Sequence, residues 1–230
     1  MADAAVAPEI GIINGHAYSG AANSMNLASY SNVTNQHLWE TEVSDTGNYD
    51  PSIASALTYA TEIHQWLTTA GVNAWFYWWG PNCNCGSGTA NGALSAASNT
   101  LSPALRAYAM GNWSKFVQPG WSLVTVGNST SLLVTAFTPP AGNAAVVVAV
   151  NNSASDATNQ TFSLSAVAAT QMTPWITSGT YSLQSQAPVA VSGGTFSYTI
   201  PAYSVVTLVS NLGGSSLNGR VTPSGGVRIR

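Results

Sequence analysis

The hydrophobic rhythm of the chain changes once, near Trp121. Before that point short apolar runs alternate with helical patterns. Residues 11–18 read as a strand running into a loop, residues 37–44 as a second strand and residues 72–79 as an aromatic-rich third. A weak pattern near Met25 to Tyr30 suggests a helix between the first two strands. The clearest helix follows the second strand. There Ile53, Leu57, Ala60, His64 and Leu67 recur at three- or four-residue spacing, Asp50 and Pro51 suit its start, and Gly71 suits its end. A Gly/Asn/Ser loop carrying Cys83 and Cys85 comes next, and Ser102-Pro103 opens another helix that ends before Pro119-Gly120. This β-α-β-α-β-α order predicts parallel strands with helical crossovers. Three parallel strands do not close a barrel.

From Trp121 onward the pattern is strands alone. Residues 121–126, 132–138, 145–151, 160–164, 172–176, 195–200 and 204–209 are apolar or alternating runs separated by Gly, Pro, Asn and Ser clusters. Alternation is clear in Thr161-Phe162-Ser163-Leu164 and in Thr195-Phe196-Ser197-Tyr198. Short strands with frequent turn signals predict an antiparallel sandwich. The expected organisation is an α/β part over residues 1–118, an all-β part over 119–212, and a flexible tail over 213–230, rich in Gly and Ser.

Composition narrows the function classes. Of 230 residues, 45% are hydrophobic and only 6% charged, against roughly 25% in an average soluble protein. Ser, Thr, Asn and Gln must therefore supply the polar surface. The net charge of −3, with three of five basic residues (Arg220, Arg228, Arg230) in the last eleven positions, offers no attraction to nucleic acid or to an acidic membrane. No apolar run reaches the roughly 20 residues of a membrane helix. The first residues, Met1-Ala2-Asp3-Ala4-Ala5, do not read as a signal peptide. Cys83 and Cys85 are too close for an easy bridge, and no histidine near them in sequence completes a zinc site; no metal constellation is readable, and no cofactor is expected.

Four local motifs, in order, carry a resemblance. They are His16-Ala17-Tyr18, Leu38-Trp39-Glu40-Thr41-Glu42-Val43-Ser44, Ala74-Trp75-Phe76-Tyr77-Trp78-Trp79, and the stretch Gly111-Asn112-Trp113-Ser114-Lys115-Phe116-Val117-Gln118-Pro119-Gly120. Together they resemble glycoside hydrolase family 30: the ends of its sixth, seventh and eighth barrel strands, and the junction into its β-sandwich. Gln118 stands where that family usually has Arg. The resemblance covers roughly residues 8–210. It implies the last three βα units of a (β/α)8 barrel followed by a β-sandwich, and the C-terminal portion of a secreted retaining enzyme that acts on a polysaccharide such as a β-1,6-glucan, a β-1,6-galactan or a xylan.

Retaining hydrolysis uses two carboxyl groups flanking the glycosidic bond. The resemblance assigns Glu42 as nucleophile, with Tyr18 able to hydrogen-bond it and His16 lining the site. Ordinary packing is the alternative reading for both. It also implies an acid/base Glu following Asn on the fourth strand. No acidic residue of this sequence follows Asn, so little or no turnover is expected of this chain alone. Glu40 is rejected as a substitute: at i and i+2 on one strand, Glu40 and Glu42 are expected to point the same way, Glu40 one layer deeper, buried and neutral or held by a polar partner. By the same alternation Trp78 and Trp79 face opposite sides, Trp78 being preferred as the platform under a sugar ring. Asn82, Asn84 and Asn91 are candidates for hydrogen bonds to sugar hydroxyls, and His64 is expected in the core. The unpaired edges of a partial barrel predict self-association. Two other readings stay open: a noncatalytic carbohydrate-binding or scaffold protein working through its sandwich, and an inactive truncated product.

Overall fold

A computed structural model describes residues 9–18, 36–44, 50–83, 92–97, 100–127, 131–165 and 167–211. The expected helix near Met25 to Tyr30, the tail, Cys85, Asn84 and Asn91 lie outside these residues. Strands β1 (Ile12–His16), β2 (His37–Val43) and β3 (Ala74–Tyr77) form a parallel sheet in the order β1-β2-β3. Among the described residues, β1 and β3 pair only with β2.

Helix α1 (Ile53–Gln65) connects β2 to β3. Its N-cap is Ser52 and not Asp50, whose carboxylate instead accepts the Ser52 backbone N–H at 2.8 Å. The helix widens into a π-turn over Trp66–Ala70 and stops at Gly71, whose φ of 73° suits glycine. Two sides of α1 are buried. Tyr59 and the following Trp66 pack on Val43, Val72, Trp75 and Tyr77, whereas Ala56, Leu57 and Ala60 face the second half of the molecule.

The segment after β3, expected as a Gly/Asn/Ser loop, includes three short strands among its described residues. It contains β4 (Pro81–Cys83), β5 (Leu94–Ala97) and β6 (Thr100–Pro103), joined as a small three-stranded sheet. Pro103 pairs with Leu94 in that sheet, so helix α2 (Leu105–Ser114) begins two residues later than Ser102-Pro103 suggests.

Beyond α2 the chain forms β7 (Ser122–Val124), β8 (Leu133–Thr138), β9 (Val146–Asn151), β10 (Ala157–Ser163), β11 (Gln171–Thr177), β12 (Gln184–Ser185), β13 (Val189–Ala190), β14 (Thr195–Ile200) and β15 (Ser204–Ser210). Seven of these make one antiparallel sheet in the order β12-β11-β15-β9-β8-β7, with β13 also on β11; β10 and β14 pair separately. One face of the large sheet meets the small one through Val147, Ala149, Met172, Val206 and Leu208 against Phe196 and Ile200. The other face, with Phe137, Val146, Val148, Val150 and Val205, packs on α1 and α2. Both faces of β9 and β15 are therefore covered. That is why they are apolar throughout rather than alternating. The molecule is a mixed α/β structure, mostly strands with two α-helices among the described residues, as expected at that level.

Asn112 ties α2 to the large sheet. Fully buried, it donates to the Thr207 hydroxyl (2.8 Å) and to the Trp175 carbonyl (3.2 Å), and accepts from the Thr177 hydroxyl (2.6 Å). Its neighbour Trp113 donates from Nε1 to the Thr135 hydroxyl at 3.0 Å. Gly111 passes Leu183 so closely that a Cβ there would lie 2.8 Å from Leu183 Cδ2. Lys115 stands 3.7 Å over the Trp175 ring, a cation–π contact worth about 1 kcal/mol.

The parallel sheet departs from simple alternation at one place. Gly15 pairs with Glu40 but His16, the next residue, pairs with Glu42. Successive residues of β1 point to opposite faces, so Glu40 and Glu42 do too. The expectation that both face one side is thereby overturned. Glu40 shares the helix-covered side with Leu38 and Trp75 and is wholly buried. Burial pushes its carboxyl up to about 7, against the pull of backbone N–H groups at Glu42, Phe76 and Ala17, and the charge of Glu62 on α1 adds to the rise.

Two outcomes are expected. Asn112→Leu leaves the Thr177 hydroxyl without its acceptor and should cost about 2–4 kcal/mol in urea unfolding. Because the folded value of Glu40 exceeds its ordinary 4.5, the folded chain holds the extra proton between about pH 4.5 and 7. Stability should fall as pH rises through that window, by about 3 kcal/mol, and Glu40→Gln should flatten the dependence.

Candidate active site

Parallel strands present their C-terminal ends together, and the side chains there can converge on one ligand. His16 ends β1, Glu42 is the penultimate residue of β2, and Trp78 follows the last residue of β3. The register step at Thr41 puts Glu42 on the face shared by Asn14, His16 and Trp39, away from α1.

Two residues from β1 and its exit hold the Glu42 carboxylate. The Tyr18 hydroxyl donates to Oε1 at 2.9 Å, and His16 Nε2 lies 3.7 Å from Oε2. The His16 and Tyr18 rings meet edge to face with centroids 6.2 Å apart, so each restrains the other. Tyr18 O–H also lies 3.5 Å from the hydroxyl of buried Ser44. Burial raises the Tyr18 phenol above its usual range; the Ser44 hydrogen bond opposes this, and the Glu42 contact and charge reinforce it. Tyr18 therefore remains a protonated donor to the carboxylate at neutral pH. The Glu42 side chain is 24% exposed, which leaves it open to a ligand while its orientation is held.

Trp78 and Trp79 do not divide between the two faces of a strand. Strand β3 ends at Tyr77, and Trp79 takes a left-handed backbone conformation with φ of 76°. Both rings are exposed, edge to face at 5.7 Å. The turn after the strand cancels the alternation that would send one of them into the helices. Both stand at the same sheet end as Glu42. Of the Asn residues expected in this region, Asn82 falls within β4.

Three other carboxylates have engagements of their own. Glu40 faces α1, Asp50 accepts the Ser52 N–H at the start of that helix, and Asp156 accepts the Ala202 N–H at 2.8 Å in the all-β half. Among the described residues no group of three or more His, Cys, Asp or Glu could hold a metal ion. His64 is half-buried and its burial lowers its pKa, which suits a neutral histidine on the helix.

Sequence reasoning missed Ser44 and Thr41. Ser44 is two residues past Glu42, a spacing that placed it at the strand exit. Thr41 marks the step itself, with its hydroxyl 3.4 Å from both Asn14 Oδ1 and the Gly15 carbonyl. Nothing in a one-dimensional pattern shows that a strand skips a residue against its neighbour. Arg106, fully buried, was also unforeseen; it donates to the Tyr77 hydroxyl at 3.0 Å and lies 5.8 Å from the Tyr59 ring centroid.

No protein-family model matches the chain. Known proteins do. Glucuronoxylanase XynC of Bacillus subtilis (strain 168) is 32% identical over 178 residues, covering 76% of this chain and 39% of that protein. A GH30 endoxylanase from Clostridium papyrosolvens C71 superposes with a TM-score of 0.78 at 29% identity, over 91% of this chain and 51% of the other. A family 30, subfamily 8 xylanase from Clostridium acetobutylicum superposes at 0.76 and 29% identity, over 90% of this chain and 50% of the other. The chain thus spans 39% of the length of the curated relative it matches. On this similarity in sequence and in fold, the chain belongs to glycoside hydrolase family 30.

Proposed function

We propose that this chain carries the nucleophile side of a retaining glycoside hydrolase that cuts xylan. The observation that carries the reading is the Glu42 carboxylate at the C-terminal end of a parallel sheet, held by the Tyr18 hydroxyl at 2.9 Å and flanked by His16 at 3.7 Å. Xylan is favoured over a β-1,6-glucan or β-1,6-galactan because the similar proteins are described as a glucuronoxylanase and as endoxylanases.

In this mechanism Glu42 attacks the anomeric carbon as the bond to the leaving oxygen breaks, and a second carboxylic acid gives that oxygen its proton. Water, activated by the second group, then displaces Glu42. Tyr18 keeps the carboxylate aimed and hydrogen-bonded while it waits. Trp78 and Trp79 offer apolar ring faces to a sugar at the same edge. We place the second carboxyl on an Asn-Glu strand outside this sequence. Residues 1–118 are then the end of a (β/α)8 barrel, residues 119–212 a β-sandwich, and residues 213–230 a tail. The parent enzyme on this reading is secreted and needs no cofactor, and the edges of β1 and β3, unpaired among the described residues, favour self-association of the chain by itself.

A noncatalytic role for the all-β half is less well supported. Its aromatic residues are engaged internally: Trp175 packs under Lys115 and against Phe116, and Tyr181 and Tyr198 pack on the core between the sheets. Tyr203 is the only exposed large aromatic of this half among its described residues.

The test is hydrolysis of glucuronoxylan and of aryl β-xylosides by the chain alone and by the chain extended upstream. Turnover is expected in the extended form, and Glu42→Gln should lower it by about a thousandfold or more. Turnover surviving that change would refute the site. Tyr18→Phe removes one hydrogen bond to a charged group. It should lower kcat about 10–100-fold, with the fold intact by circular dichroism.

A further inference from the structure

Glu40 is a wholly buried carboxyl group in a chain with very few charges. Burying one costs several kcal/mol unless hydrogen bonds hold it, and here they come from backbone. Oε1 accepts the Glu42 N–H at 2.9 Å, and Oε2 accepts the Phe76 N–H at 3.3 Å. The Ala17 N–H, just beyond β1, also favours its charged form. One side chain thus accepts from β2 and β3 and lies near the N–H that follows β1, whose hydrogen bond goes to the Glu42 carbonyl at 3.2 Å, and it does so where β2 gains one residue over β1.

An extra residue in a strand disrupts the ladder and leaves a backbone group in need of a partner. The group so exposed belongs to Glu42 itself, and Glu40 satisfies it. We propose that Glu40 is a positioning residue: its carboxyl holds the step at Thr41 open and thereby turns the Glu42 side chain toward Tyr18 and the open face. Without the step, ordinary alternation would place Glu40 and Glu42 on one side, and the two could not occupy their separate environments. The inference rests on the reading of Glu42 as the reacting carboxylate, but its geometric part is testable without turnover.

The groups that bear on Glu40 are Glu62 from α1 and, across the sheet end, Tyr18 and Glu42. The first measurement uses the isotopically labelled full chain. Amide signals of Glu42 and Phe76 are followed by NMR from about pH 5 to about pH 9, together with the carboxyl carbons of Glu40, Glu42 and Glu62. The two amides should move together at the midpoint of the Glu40 carboxyl, and Glu40→Gln should abolish that movement. Amides that stay still while Glu40 titrates would overturn the proposal.

The second measurement compares Glu40→Leu, which has no acceptor, with Glu40→Gln, which keeps one. Glu40→Leu should lose the contact between the Tyr18 ring and the Glu42 side chain seen by nuclear Overhauser effect. In the upstream-extended form it should lower kcat at least tenfold with KM within about twofold, and Glu40→Gln should restore part of the loss. An unchanged Tyr18–Glu42 contact in Glu40→Leu would overturn the proposal, as would an unchanged kcat in an extended form that turns over. If Glu40→Leu does not fold, the wild-type amide titration decides alone. Co-titrating amides and a lost contact, in an extended form without turnover, would uphold the positioning of Glu42 and sink the hydrolase reading instead.

Discussion

Between Gly15 and His16 the first strand advances one residue while its neighbour advances two, from Glu40 to Glu42. That single step separates two glutamates that alternation would put side by side. One goes under α1, where burial raises its pKa and backbone N–H groups hold it. The other goes to the open face, beside His16 and Tyr18. Two like charges sharing one face would disfavour each other's ionised form. Separated, one lies within reach of a ligand, while the other becomes part of the sheet's internal hydrogen bonding.

The rest of the molecule holds this sheet end in place. Helix α1 is gripped from two sides, by Val43, Trp75 and Tyr77 on the parallel sheet and by Val146, Val148 and Phe137 on the antiparallel one. Helix α2 is anchored through Asn112, whose side chain and carbonyl are bonded to Thr177 and Thr207. A buried amide with all these partners tolerates few other positions, so it specifies how α2 docks as well as stabilising it. The motif Gly111-Asn112-Trp113 has a physical reason at each place: close approach to Leu183, a polar anchor to β11 and β15, and an indole bonded to Thr135 of β8.

The site is correspondingly economical. A tyrosine and a histidine from one strand exit orient one carboxylate on the next, and two exposed indoles flank the same sheet end. The left-handed backbone at Trp79 costs on the order of 1 kcal/mol or more. Such a conformation ends the strand abruptly and leaves both rings at the surface.

The sequence alone determined what depends on local pattern. The α1 periodicity, its stop at Gly71, the strands of the second half and the grouping of His16, Tyr18 and Glu42 at neighbouring strand ends are readable because each rests on a few adjacent residues or on a motif. What only the tertiary structure decided depends on how one strand lies against another. The step at Thr41, and with it the opposite facing of Glu40 and Glu42, exists only as a mismatch between β1 and β2. The unbroken burial of β9 and β15 arises because helices cover the side that a free-standing sheet would expose. The joint exposure of Trp78 and Trp79 follows from a turn that begins as the strand ends. Register and burial are relations between segments distant in the chain, and no window of sequence contains both partners.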